Sequence, residues 1–104
     1  MTDILAVFTT LPDADSARAL ARLAVTERRA ACVQISEIAS VYTWEGVQED
    51  REWRLLFKTT RAGYPALAAL ILKAHPYDEP ALWSHVVSEG SAGYLAWIAD
   101  SVAP

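Results

Sequence analysis

From Ala31 to Trp44 the chain carries neither Gly nor Pro, and after Glu45-Gly46 a second β-rich run follows from Trp53 to Thr59. Two long strand candidates joined by a turn commit the middle of the chain to an antiparallel hairpin. In the second run Trp53, Leu55 and Phe57 share one parity, while Glu52, Arg54 and Lys58 share the other. One face of that strand therefore packs and the other is more polar, and Leu56 breaks the polar side toward a neighbour. In the first run Val33 and Ile35 give way to Ile38, Tyr42 and Trp44 on the opposite parity, which predicts a bulge or bend near Ser36-Glu37.

The flanking segments supply helices and edge strands. Ile4 to Thr9 reads as a short buried strand stopped by Leu11-Pro12-Asp13. Asp13 is the predicted N-cap of a helix reaching about Arg28, with Ala17, Leu20, Ala21, Ala24 and Val25 as its apolar stripe. Arg28-Arg29 at its end and Asp15 near its start suit the macrodipole. Tyr64-Pro65 opens a second helix bearing Leu67, Leu70, Ile71 and Ala74, and Pro76 ends it. Leu82 to Val87 is a shorter strand, Glu89-Gly90 a turn, and Ala92 to Ala99 a last helix with Tyr94, Leu95 and Ile98 on one side. The order β-α-β-β-α-β plus a helix predicts an α+β, ferredoxin-like sandwich with an additional C-terminal helix.

Residues 1–104 fit one domain, with no repeat or composition break. A hydrophobic fraction of 53% in so short a chain favours self-association, because a small domain buries a limited share of its surface. A net charge of −4 with scattered Lys and Arg argues against nucleic acid or an anionic membrane as partner. No apolar run is long enough for membrane insertion, and Met1 to Val7 has no basic region ahead of an apolar stretch, so the expected location is cytoplasmic. Cys32 is the single cysteine, which excludes an internal disulfide and any paired-cysteine zinc motif.

Chemistry concentrates in His75-Pro76-Tyr77-Asp78-Glu79-Pro80, where two prolines restrict the backbone around an imidazole, a phenol and two carboxylates. Taken in order, Ala30-Ala31-Cys32-Val33, Ser40-Val41-Tyr42-Thr43-Trp44-Glu45-Gly46, Glu52, Leu55-Leu56-Phe57-Lys58-Thr59, His75-Pro76-Tyr77, Pro80 and Tyr94-Leu95-Ala96-Trp97 resemble the CutA divalent-cation tolerance family. The resemblance implies a homotrimer with long hairpin strands, associated with tolerance of copper and other divalent cations. It also implies a polar cleft near the subunit boundary formed by Cys32, Tyr42, Trp44, Glu52, Lys58, His75 and Tyr77. The sequence departs from the family pattern at Gln34, Thr43, Glu79 and Ala81, the last removing a carboxylate beside the cleft.

Cys32 is a soft donor and His75 a borderline one, a pair suited to copper or zinc if folding joins them, with Glu52 as a carboxylate ligand. Each residue has a plainer role beside that one. Cys32 enters an apolar strand and reads more readily as an inert buried thiol, His75 equally as a cap on helix carbonyls, and His85 more readily as an edge or interface histidine held by a backbone carbonyl. Glu52 and Lys58 share a parity and read either as an ion network or as a ligand-orienting pair, walled by Tyr42, Trp44 and Tyr77. No closed metal motif and no Gly-rich oxyanion or phosphate loop is present, so an enzyme is not expected. The expected function is weak or transient binding, or sensing, of Cu2+ or another divalent cation by a homotrimer. The alternatives are a trimeric small-molecule or nucleotide sensor like the PII signalling proteins, and a purely structural interaction trimer. A PII-like site would need a basic intersubunit cleft, and an RNA-recognition sheet would need exposed aromatics beside basic residues.

Overall fold

In a computed structural model describing residues 3–104, the elements run β1 (Ile4–Leu11), α1 (Ala14–Thr26), β2 (Cys32–Thr43), β3 (Val47–Thr60), α2 (Tyr64–Ala74), β4 (Trp83–Val87) and α3 (Ala92–Ser101). Met1 and Thr2, with which the leader expectation began, lie outside the described residues. The sheet order is β2-β3-β1-β4 with every neighbouring pair antiparallel, so each half of the chain crosses back over the sheet through one helix. That is the ferredoxin-like arrangement expected from the order of elements.

Side chains alternate across the pleat, and the odd-numbered positions of β1, and of β2 and β3 where they run alongside it, face the two crossover helices. Leu5, Val7, Leu11, Leu55 and Phe57 enclose one core with Ala17, Leu20 and Ala24 of α1 and Leu67 and Ile71 of α2. Asp13 caps α1 as expected, its Oδ1 accepting from the Ser16 amide at 2.7 Å. On the even-numbered face an apolar cluster forms at one end, where Ile98 and Val102 of the C-terminal segment bury against Ile4.

Three local expectations change. The β2–β3 register is continuous from Cys32 opposite Lys58 to Thr43 opposite Val47, so no bulge interrupts it. The switch of apolar parity instead marks where the hairpin outgrows the sheet: β1 ends at Leu11 opposite Trp53, and beyond that point no helix lies over the strands. Arg28 ends its own helix through its backbone, the amide donating to the Val25 carbonyl at 3.0 Å, and not through its charge. It adopts φ 57° and donates from Nε and Nη2 to the carbonyls of Ser101 (3.3 Å) and Asp100 (3.2 Å), capping α3. His85 is held by rings rather than a carbonyl, edge-on to Phe8 and Trp83 on the open face.

Gly46 and Glu45 make the hairpin turn with φ 99° and 52°, the left-handed region that the tight reversal demands. Gly63 is constrained differently: a Cβ there would stand 2.7 Å from Val102 Cγ1, so the start of α2 and the C-terminal segment can meet only over a glycine.

Candidate functional site

The two ends of the segment from His75 to Ala81 are tied to consecutive residues of β1. At one end His75 Nε2 lies 2.7 Å from the Thr10 carbonyl, and at the other the Thr9 hydroxyl donates to the Ala81 carbonyl at 2.7 Å. A carbonyl only accepts, so His75 donates from Nε2. Its Nδ1 then accepts the Tyr77 amide at 3.2 Å, which fixes the neutral tautomer. Burial pushes the imidazole below its ordinary pKa, outweighing the opposing pull of the Thr10 bond and of Glu52. The helix-cap role expected for His75 gives way to this cross-strand tie, because the ring leaves α2 and reaches β1.

Anchored in this way, the segment leans over the part of the hairpin that projects past β1. Tyr77 donates its hydroxyl to Glu52 Oε2 at 3.0 Å, and burial followed by that bond raises the phenol pKa, so Tyr77 remains a donor. Glu52 is only 8% exposed. Among the described residues no Lys, Arg or His lies within ion-pair distance of it, since the two ion pairs are Arg51–Glu37 and Arg61–Asp3. Tyr42, across the hairpin, donates to Asp50, whose acceptance raises the Tyr42 pKa.

Between hairpin and segment lies a cleft of about 810 Å³ walled by Tyr42, Trp44 and Tyr77, with Glu52, Asp78 and Glu79 among its lining and neither Lys nor Arg. A site demanding phosphate recognition would have the opposite sign of charge. Ala81, where the family pattern places a carboxylate, lines the same cleft. Glu79 lines it too, three positions along the segment from Pro76.

Of the residues singled out in the sequence, the structure therefore gathers Glu52, His75, Tyr77, Tyr42 and Trp44. It does not bring Cys32 or Lys58 to them. Cys32 pairs with Lys58, which pairs with Ala6, whereas His75 is bound at Thr10. The interval from Ala6 to Thr10 alone spans about 13 Å of strand, far more than two donors of one ion can be separated. Glu52 and Lys58 share the open face as their parity requires, but their separation along β3 is about 20 Å. They form no ion pair; Lys58 instead donates to the Tyr94 hydroxyl at 2.7 Å. Cys32 is half-buried rather than enclosed. Among the described residues no group of three or more His, Cys, Asp or Glu side chains is arranged to hold a metal ion.

Three partners escaped the sequence reading: Thr10, Asp50 and Tyr94. Asp50 was within reach, because the turn at Glu45-Gly46 fixes the pairing of Ser40 with Asp50 next to Tyr42. Nothing in the spacing points to Thr10, which serves through its backbone. Tyr94 was grouped with Leu95 and Ile98, but it is 42% exposed and turns to Lys58 while those two pack inward.

Comparison with known proteins follows the same lines. Residues 5–101 match the family described as CutA1 divalent ion tolerance protein. The chain is 39% identical over 97 residues to the divalent-cation tolerance protein CutA of Thermus thermophilus, covering 91% of this chain and 94% of that one. Its structure superposes on the divalent cation tolerance protein Cut A1 from Thermus thermophilus with a TM-score of 0.92 at 37% identity, covering 96% and 99% of the two chains. CutA1 from Oryza sativa gives a TM-score of 0.93 at 35% identity, with 97% and 94% covered.

Proposed function

The chain belongs to the CutA1 divalent ion tolerance family, and from that premise we propose that it serves divalent-cation tolerance as a homotrimer that binds a divalent cation, copper first, weakly and reversibly. The observation that carries the reading is Glu52, a residue only 8% exposed that accepts from Tyr77, has no cation beside it among the described residues and opens on a cleft. Partial removal from water strengthens the attraction of a carboxylate for any cation that enters the cleft.

In this reading Glu52 is the carboxylate donor and the other donors come from elsewhere than the same cleft. Cys32, remote in its own chain, is the thiolate that a second subunit contributes. His75 ligates only after giving up one of its two backbone partners, so its participation opens the 75–81 segment. Self-association is supported by the apolar surface left uncovered: Val41, Trp44 and Val47 on the projecting hairpin and Trp83 and Val86 on the edge strand β4 are all about half exposed or more. That much apolar area marks an interaction surface, and the unpaired edges of β2 and β4 offer backbone partners to a second copy.

Titration calorimetry on metal-free protein tests the ligand assignment. Copper or zinc is expected to bind saturably and about tenfold or more weakly in Glu52→Gln, which keeps the acceptor for Tyr77 but removes the charge. Equal affinity in the two proteins removes Glu52 from the site. Light scattering tests the assembly: a monomer at micromolar concentration sinks the trimer and the shared thiolate with it.

A further inference from the structure

We propose that the groove between α1 and the edge strand β2 is the seat of helix α2 of a second copy of this chain, so that copies join head to tail with β2 of one beside β4 of the next. The proposal rests on the homotrimer reading above and names the surfaces by which the ring closes.

The groove is a gap in the helix layer. Helix α1 packs over β1, β3 and β2 but stops short of the β2 edge, leaving a furrow of about 860 Å³ lined by Val33, Ile35 and Trp53 of the sheet and by Arg18, Ala21 and Val25 of α1. Ile35 and Val25 are exposed there. Arg18 and Arg22, one turn apart on the same wall, have no carboxylate within ion-pair distance among the described residues. The matching surface lies at the opposite edge of the sheet. α2 is apolar all round, with Lys73 as its single charge, and a helix of that kind is ordinarily covered on every side. Leu67 and Ile71 face the core, whereas Leu72, 51% exposed, lies on the uncovered side with Pro65 and Ala69.

Strand direction decides how the two surfaces meet. β2 runs parallel to β1 and β4 antiparallel to it, so a second copy laid beside β2 in the same orientation offers its β4 as an antiparallel neighbour to the unpaired edge. Both helix layers then fall on the same side, and α2 of that copy fills the gap beside α1. A strand spacing of about 4.8 Å puts the two helices roughly 10 Å apart, an ordinary packing distance. An edge that meets a different edge of its neighbour repeats until a ring closes, whereas β2 against β2 would stop at two.

The helix ends supply the polar part. α1 starts and α2 ends at the Thr10 end of the sheet, α1 soon after Leu11 and α2 at His75, whose ring is tied to Thr10. The two helices are therefore antiparallel, and Arg18 in the second turn of α1 stands by the last turn of the partner's α2, the negative end of its dipole. Among the described residues no amide or side chain donates to the carbonyls of that turn. The chain already closes one helix with a guanidinium from elsewhere, since Arg28 donates to the last carbonyls of α3.

The test is light scattering over a concentration series on Ile35→Glu, in the groove, and Leu72→Glu, on α2, with circular dichroism to confirm that each folds. Each variant alone is expected to be monomeric where the wild type is a trimer. Mixed, the two are expected to form a one-to-one dimer as concentration rises, because the intact groove of one still accepts the intact α2 of the other and no further contact remains to close a ring. Should Ile35→Glu fail to fold, Arg18→Glu, at an exposed position on the same wall, takes its place in the mixture. Arg18→Gln is expected to raise the concentration at which the trimer dissociates by about tenfold, the effect of one charge-assisted bond. Trimers of wild-type stability in either glutamate variant, or two folded monomeric variants that do not associate when mixed, overturn the proposal and leave the homotrimer standing. A monomeric wild type removes the homotrimer and this proposal with it.

Discussion

The open face of the sheet has two polar ends that look alike in sequence and differ in construction. At the Glu52 end an acidic side chain is buried, a neighbouring loop is pinned by backbone bonds, and no cation among the described residues is in reach. At the Lys58 end a cation lies over the Tyr94 ring, 5.1 Å from its centroid, next to a half-buried thiol, with α3 packed alongside. Strand parity puts Glu52 and Lys58 on the same face but says nothing of the distance between them. The lesson is that a cleft built from a loop and an overhanging hairpin takes the groups within one loop's reach, and the thiol and the ammonium fall outside it.

The sharpest way to break this comparison is to remove the pin. His75→Ala deletes two hydrogen bonds and leaves the Thr10 carbonyl and the Tyr77 amide to find other partners, one of them part-buried. A loss of about 2–3 kcal/mol is expected by urea denaturation. Cys32→Ser, at the other end, has no such bond to lose and should cost about 1 kcal/mol or less. A larger loss for Cys32→Ser than for His75→Ala would mean that the two ends have been assigned the wrong way round.

The same imidazole gives the second effect, smaller and dependent on pH. Its folded pKa is depressed below the ordinary value of 6.5, so the native protein keeps it neutral where the unfolded chain has begun to take up a proton. The unfolded state then binds more protons, and stability falls as acidity rises. The contribution is fully present above 6.5 and is lost as pH falls through the depressed native value. Denaturation midpoints measured from pH 7.5 to 5 should therefore decline more steeply in the wild type than in His75→Ala. Parallel curves would show that burial does not hold the ring neutral.

How far these properties were legible beforehand depends on what encodes them. The core was legible because it is periodic: Leu55 and Phe57 alternate, Leu67 and Ile71 repeat at helical spacing, and all four are fully buried. The capping by Asp13 was legible because it is local in the chain. The order of elements sufficed for the strand order, since few topologies accommodate it. The cleft was legible only in part. The residues that meet there were marked out by residue type, but its membership was fixed by contacts over long separations, such as His75 with Thr10 and Tyr77 with Glu52. Neither the bulge that did not form nor the turn of the Arg28 guanidinium to α3 could be judged without knowing where β1 stops and where the C-terminal helix lies.

The smallest expected effect tests the less organised end. Lys58 forms one hydrogen bond with an exposed phenol and stacks on its ring, and it has no carboxylate partner among the described residues. Its aliphatic stem covers the same surface whether or not the ammonium is present. Lys58→Met keeps that stem and should change stability by no more than about 0.5 kcal/mol, within the range of ordinary surface substitutions. A change in a copper titration would place Lys58, with the Cys32 opposite it, at the cleft of a second subunit, since the pairing of β3 with β1 and β2 holds Lys58 and Glu52 about 20 Å apart within one chain.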